Sequence, residues 1–103
     1  MLPRADRVRL EEGADDLNTY YGTTGKRDLR EVHYRLVHLR EFFAGRRLAA
    51  IGPADTTVYA AKRQAEGDSA GTVNRELALL VRLLRIAYEN GKLVRLPVIR
   101  KLK

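Results

Sequence analysis

Residues 77–88 constrain the fold of this chain more than any other stretch. Leu77, Leu79, Leu80, Val81, Leu83, Leu84, Ile86 and Ala87 crowd into it. At 3.6 residues per turn these side chains point in nearly every direction, and a helix so clothed belongs at the centre of a domain. Gly67-Asp68-Ser69 punctuates the chain before it, with Asp68 or Ser69 as the candidate cap, and Asn90-Gly91 is a normal carboxy-terminal stop. The pattern predicts a helix from about Ala70 to Asn90.

A central helix requires amphipathic partners, and the rest of the sequence supplies three. Leu10, Ala14, Leu17 and Tyr21 recur at steps of three and four, predicting a first helix over Arg9–Tyr21 that Gly22-Thr23-Thr24-Gly25 interrupts. Asp28 then stands where a side-chain oxygen caps a second helix, whose Leu29, Val32, Leu36, Leu39 and Phe43 line one face until Gly45. That face must be buried. Leu48–Ile51 anchors the chain ahead of Gly52-Pro53, and because proline suits a first helical turn, a third helix is predicted over Pro53–Ala65. Its apolar stripe of Val58, Ala61 and Ala65, with Tyr59 beside it, is thin, which places it on the periphery with Lys62, Arg63 and Gln64 in water. Residues 93–103 mix aliphatics and bases around Pro97 and read as an exit linker. With no internal repeat and no strand-like alternation, the expected class is all-α, a four-helix bundle with short connections and orthogonal packing.

The chain is 103 residues long and 45% hydrophobic, enough to close one core and too little for two. No apolar run approaches the roughly 20 residues that span a bilayer, and the first residues lack the pattern of a secretory signal, so a soluble, cytoplasmic protein is expected. The absence of cysteine excludes disulfides, thiolate zinc sites and cysteine nucleophiles. A net charge of +7 points to a polyanion as partner. Placement sharpens this: residues 26–47 carry seven bases against three acids, and 91–103 carry five bases and no acid.

Catalysis finds little support. His33 and His38 are five residues apart on the predicted second helix, with no neighbouring cysteine or clustered acids to complete a metal site or a triad. Glu11-Glu12 and Asp15-Asp16 are explained by the helix macrodipole and exposure. No strand leads into a glycine-rich phosphate loop. No catalytic residue, metal or cofactor is therefore expected in this chain.

Two constellations suit a duplex. Arg27, Arg30, Tyr34 and His38 project from the back of the second helix, where guanidinium groups can fork onto phosphates and the rings add hydrogen bonds or sugar contacts. An ordinary solvated face explains this row equally well. At the opening of the fourth helix, Thr72, Asn74 and Arg75 join the free amides of a helix amino terminus. Capping accounts for Ser69 and Thr72 but not for Asn74 and Arg75.

Tyr34-Arg35-Leu36-Val37-His38-Leu39-Arg40-Glu41-Phe42-Phe43, then Leu48-Ala49-Ala50-Ile51, then Thr72-Val73-Asn74-Arg75-Glu76-Leu77-Ala78-Leu79-Leu80 follow one another at a spacing that resembles the core-binding domain of tyrosine recombinases, the phage-integrase family. The resemblance runs from about Leu10 to Lys103. Gly71 and Leu96-Pro97 depart from the family pattern, where a helix former and Asn-Pro are commoner. The resemblance implies a SAM-like helical domain over residues 1–92 that lies against one side of a recombination-site duplex. It implies an exit linker over 93–103 leading to a separate catalytic domain, and neighbouring recombinase protomers as further partners. On that reading this chain binds double-stranded DNA without cutting it, and none of Tyr20, Tyr21, Tyr34, Tyr59 or Tyr88 is a nucleophile. The family's contacts fall on Arg27, Arg30, Tyr34 and His38 and on Thr72, Asn74 and Arg75, with Lys26 and Lys62 as weaker candidates at the phosphate edge. Arg75, in the first turn of its helix, is expected to matter more than Arg82. A helical protein-interaction module that never touches nucleic acid is the alternative function class.

Overall fold

The computed structural model describes residues 7–25 and 29–102. Among these the chain forms four α-helices, α1 (Leu10–Thr24), α2 (Leu29–Phe42), α3 (Pro53–Ala65) and α4 (Ala70–Glu89), with a 3-10 turn at Leu48–Ala50 and no strand. Lys26, Arg27 and the expected cap Asp28 lie outside the described residues. No helix among the described residues is long and apolar enough to cross a membrane.

The crowded apolar sequence of α4 does what its pattern requires. Val73, Leu77, Leu79, Leu80, Leu83, Leu84, Ile86 and Ala87 are buried, and α1, α2 and α3 all pack against it. Ser69 caps the helix, its Oγ accepting the Thr72 amide at 3.2 Å. On α1, Gly13 is the point of closest approach: a Cβ there would stand 2.7 Å from Leu83 Cδ2 and 3.2 Å from Leu48 Cδ1. The helix continues past its predicted end to Thr24 and stops at Gly25, whose φ of 65° is open to glycine at little cost. Behind Gly13, the Leu10 amide bonds to Arg46 O and the Leu48 amide to Val8 O, so the start of α1 is stitched to the link that follows α2.

Two expectations of burial need correction. Leu29, at the first position of α2, is 46% exposed, beyond the cover of the partner helices, while Val32, Leu36, Leu39 and Phe43 are buried as predicted. On α3 the buried face is Thr56, Tyr59, Ala60 and Arg63, and the expected stripe of Val58, Ala61 and Ala65 faces solvent. The helix is turned because Tyr59 packs its ring against Phe42 and Phe43, with centroids 5.3 and 5.7 Å away, and because Arg63 finds a buried carboxylate. Large aromatic area and a satisfied ion pair outweigh three small aliphatic groups.

Residues 93–102 lie on the bundle. Leu93 is buried, and Leu96, Ile99 and Leu102 pack against the core. They recur at every third position, a spacing that the mixed composition of the stretch conceals. The Cα radius of gyration is 13.2 Å, that of a single globule of this length, so the segment belongs to the same body as the helices.

Candidate nucleic-acid interface

The first turns of α4 show how closely one short motif is divided among tasks. Thr72 joins the cap, with its Oγ1 3.1 Å from Ser69 Oγ; Val73 and Leu77 enter the core. Asn74, Arg75 and Glu76 between them face three different surroundings.

Glu76 points inward. Its carboxylate accepts the Tyr59 hydroxyl at 2.5 Å and the Arg63 guanidinium at 2.9 Å from Nε and 2.8 Å from Nη2. Burial alone would push the Glu76 carboxyl up, but the Arg63 and Tyr59 hydrogen bonds more than offset it and hold the group below the usual carboxylate range. Burial, with the neighbouring carboxylate, drives the Tyr59 hydroxyl well above its ordinary value. Arg63 also reaches Glu66 and Asp68 at 2.8 and 2.9 Å. The network fastens α3 to α4. Arg63, expected in water, is 5% exposed, because a bidentate carboxylate and a tyrosine hydroxyl are there to receive it.

Arg75 points outward. A groove of about 370 Å³ between α2 and α4 has Val32, Ala78 and Leu79 as its apolar lining and Arg35, Arg75 and Arg82 around it, with Tyr21 contributed by α1. Arg75 and Arg82 are exposed and have no hydrogen bond or ion pair among the described residues, while Arg35 is tied to Glu31 one turn earlier on α2. Three guanidinium groups against one carboxylate leave the groove cationic. Arg75 and Arg82 are two helical turns apart, about 10 Å along one face. The structure thus gives the two the same surroundings, where the first-turn argument separated them.

Asn74 is occupied. Its Nδ2 donates to Leu102 O at 2.8 Å and its Oδ1 accepts the Leu102 amide at 2.7 Å. Both polar atoms of the carboxamide are engaged by the backbone of the terminal segment, so in this conformation it has no free edge for a base.

The row expected on α2 divides. Arg30 and Tyr34 are exposed, Tyr34 at 71%, and the Tyr34 ring stands edge-on to His38 with centroids 6.3 Å apart. His38 is half-buried and turns toward α3, where it lines a cleft of about 210 Å³ with Lys62 and Arg63. Lys62 is bound to Glu66 at 2.5 Å. The structure therefore brings Arg75 together with Arg35 and Arg82, and brings His38 together with Lys62, in two separate depressions. Arg35 and Arg82 were missed by the sequence reading. The seven-residue step from Arg75 to Arg82 was legible; Arg35 was not, since nothing in one helix says which flank its neighbour occupies.

No protein-family model, curated protein or solved structure significantly matches the chain.

Proposed function

We propose that this chain is the DNA-binding domain of a site-specific recombinase of the tyrosine-recombinase kind, an orthogonal SAM-like bundle that holds one side of the recombination-site duplex while a separate catalytic domain performs strand exchange. Its own part is to bind DNA, not to cleave it. The observation that carries this reading is the shared groove: the exposed Arg75, in the first turns of α4, lies with Arg35 of α2 and with Arg82 around one cationic depression. Guanidinium groups on two helices can straddle a phosphate backbone, with sugar carbons resting on the Val32, Ala78 and Leu79 lining. Arg30 and Tyr34, exposed on α2, and Thr72, at the cap of α4, lie outside the lining of this groove, and Asn74, held by Leu102, is withdrawn from direct contact. Lys62 and His38 mark a more distant edge.

Fluorescence anisotropy with a labelled duplex tests the reading. If three arginines each displace about 0.9 counterion, raising salt from about 50 to about 200 mM weakens their share of the binding roughly 40-fold. Absence of duplex binding at the lower salt refutes the proposal and leaves a protein-interaction module.

A further inference from the structure

The terminal segment answers a question that the groove leaves open, namely what Asn74 is for. Residues 93–102 return along α4 and are fastened at both ends. At the near end the Lys92 amide bonds to Ala87 O at 2.8 Å, and Lys92 Nζ reaches Glu12 and Asp16 at 2.9 and 2.6 Å. At the far end stands the reciprocal Asn74–Leu102 pair. Ala87 and Asn74 are about 20 Å apart along the helix, well within the roughly 33 Å that ten residues can span, so the two fastenings and the apolar contacts between them, not tautness, hold the segment in place. Between the fastenings, Leu96, Pro97 and Ile99 share a crevice with Val81, Leu84 and Arg85. A three-residue apolar repeat turns one side chain in three to the bundle and leaves the others outside. Those others include Arg95, Arg100 and Lys101, all exposed and without a hydrogen bond or ion pair among the described residues.

Helical arithmetic puts the two flanks of α4 in register with this. Leu79 and Arg75 lie toward α2, Val81 and Asn74 lie toward the terminal segment, and Arg82 and Arg85 run along the ridge between. Cations thus stand on both sides of α4. The breadth from α2 across α4 to the segment is about two packing distances of 8–10 Å, wider than a major groove of about 12 Å.

We infer that residues 93–102 form a second bank of the nucleic-acid surface, presenting Arg95, Arg100 and Lys101 to duplex phosphates. Asn74 is its positioning residue, acting through the backbone of Leu102 instead of reading a base. A carboxamide that pairs with a peptide unit as a neighbouring strand would is suited to this, because it holds position whatever side chain the segment carries there. The inference rests on the DNA-binding reading above.

The test uses the whole chain, a short mixed-sequence duplex and amide hydrogen exchange. Arg95→Ala/Arg100→Ala/Lys101→Ala is expected to lower affinity at least tenfold at low salt and to flatten the salt slope by about 0.9 for each phosphate no longer neutralised. Asn74→Ala is expected to release protection of the Leu102 amide, to leave the far-ultraviolet dichroism of the helices intact, and to lower affinity without further loss when combined with the triple variant. A wild-type chain that binds while the triple variant keeps its affinity and slope overturns this inference alone. So does an Asn74→Ala loss that adds in full to the triple variant and depends on duplex sequence, the mark of a base reader. A wild-type chain that binds no duplex overturns the functional reading and this inference together.

Discussion

Replacing Glu76 by alanine removes the acceptor on which Tyr59 and Arg63 both depend, and the structure allows the cost to be worked out. The Arg63 and Glu76 side chains are 6% and 3% exposed, so water cannot take the place of the lost carboxylate. Arg63 keeps Glu66 and Asp68, but these are 41% and 36% exposed and their attraction is screened. The Tyr59 hydroxyl is left with no acceptor, which costs about 1–3 kcal/mol by itself. Breaking a buried pair from one side costs about 3–5 kcal/mol, a large part of the 5–15 kcal/mol that holds a domain of this kind together. With a urea m-value of about 1.5 kcal/mol per M, the unfolding midpoint falls by roughly 2–3 M. Circular dichroism at 222 nm measures it. The companion variant Tyr59→Phe/Arg63→Met/Glu76→Leu removes every polar member at once and fills the space with apolar groups. It is expected to be more stable than Glu76→Ala, since replacing a buried pair whole is often neutral. A Glu76→Ala loss under about 1 kcal/mol, or a triple variant worse than the single one, would refute the view that a desolvated pair joins α3 to α4.

Acid should loosen this joint and also the start of α3. Glu76 and Asp55 both lie below their ordinary values of 4.5 and 3.8, Glu76 through Arg63 and Tyr59 working against burial, Asp55 through the Gly52 amide and Arg46. The stability they contribute is complete above those values and is lost as pH falls through the lowered ones, so the urea midpoint should hold from pH 7 to about 5 and drop below it; a midpoint unchanged at pH 3 contradicts this. Gly13→Ala forces a methyl onto Leu83 and Leu48, both buried, and is expected to destabilise by about 1–2 kcal/mol despite its better helix propensity. Gly22→Ala, with nothing within 4 Å, is expected to stabilise by up to about 1 kcal/mol, and equal effects at the two sites in thermal melts would count against the close approach of α1 and α4. Arg75→Ala and Arg82→Ala should weaken duplex binding to a similar extent, each flattening the salt slope by about 0.9, as read by anisotropy; loss at Arg75 alone would restore the first-turn view and dissolve the shared groove.

Sequence alone was enough for the number and type of the helices, the bounds of α3 and the central place of α4. Each of these follows from local rules: periodicity, capping groups, glycine and proline. Leu77 to Ala87 could be read without knowing what lies across from them, because apolar groups on every side leave a helix nowhere else to go. On α3 the local rules chose the wrong face. Val58, Ala61 and Ala65 looked like the inner face of α3 because pattern arithmetic treats arginine as wet, and only the meeting with Glu76, thirteen residues on, turned Arg63 inward.

The candidate site divides in the same way. Arg75 was visible as a cation at a helix start, but its companionship with Arg35 depends on which flank of α4 receives α2, a matter of packing that no window of sequence contains. Asn74 looked like a DNA contact at the helix start, whereas the structure lays the terminal segment along α4 with its backbone in the carboxamide's grip. What a residue can do is written in its chemistry and its place on a helix; whether it is free to do it depends on its neighbours in space, and those are set only when the whole chain has closed on itself.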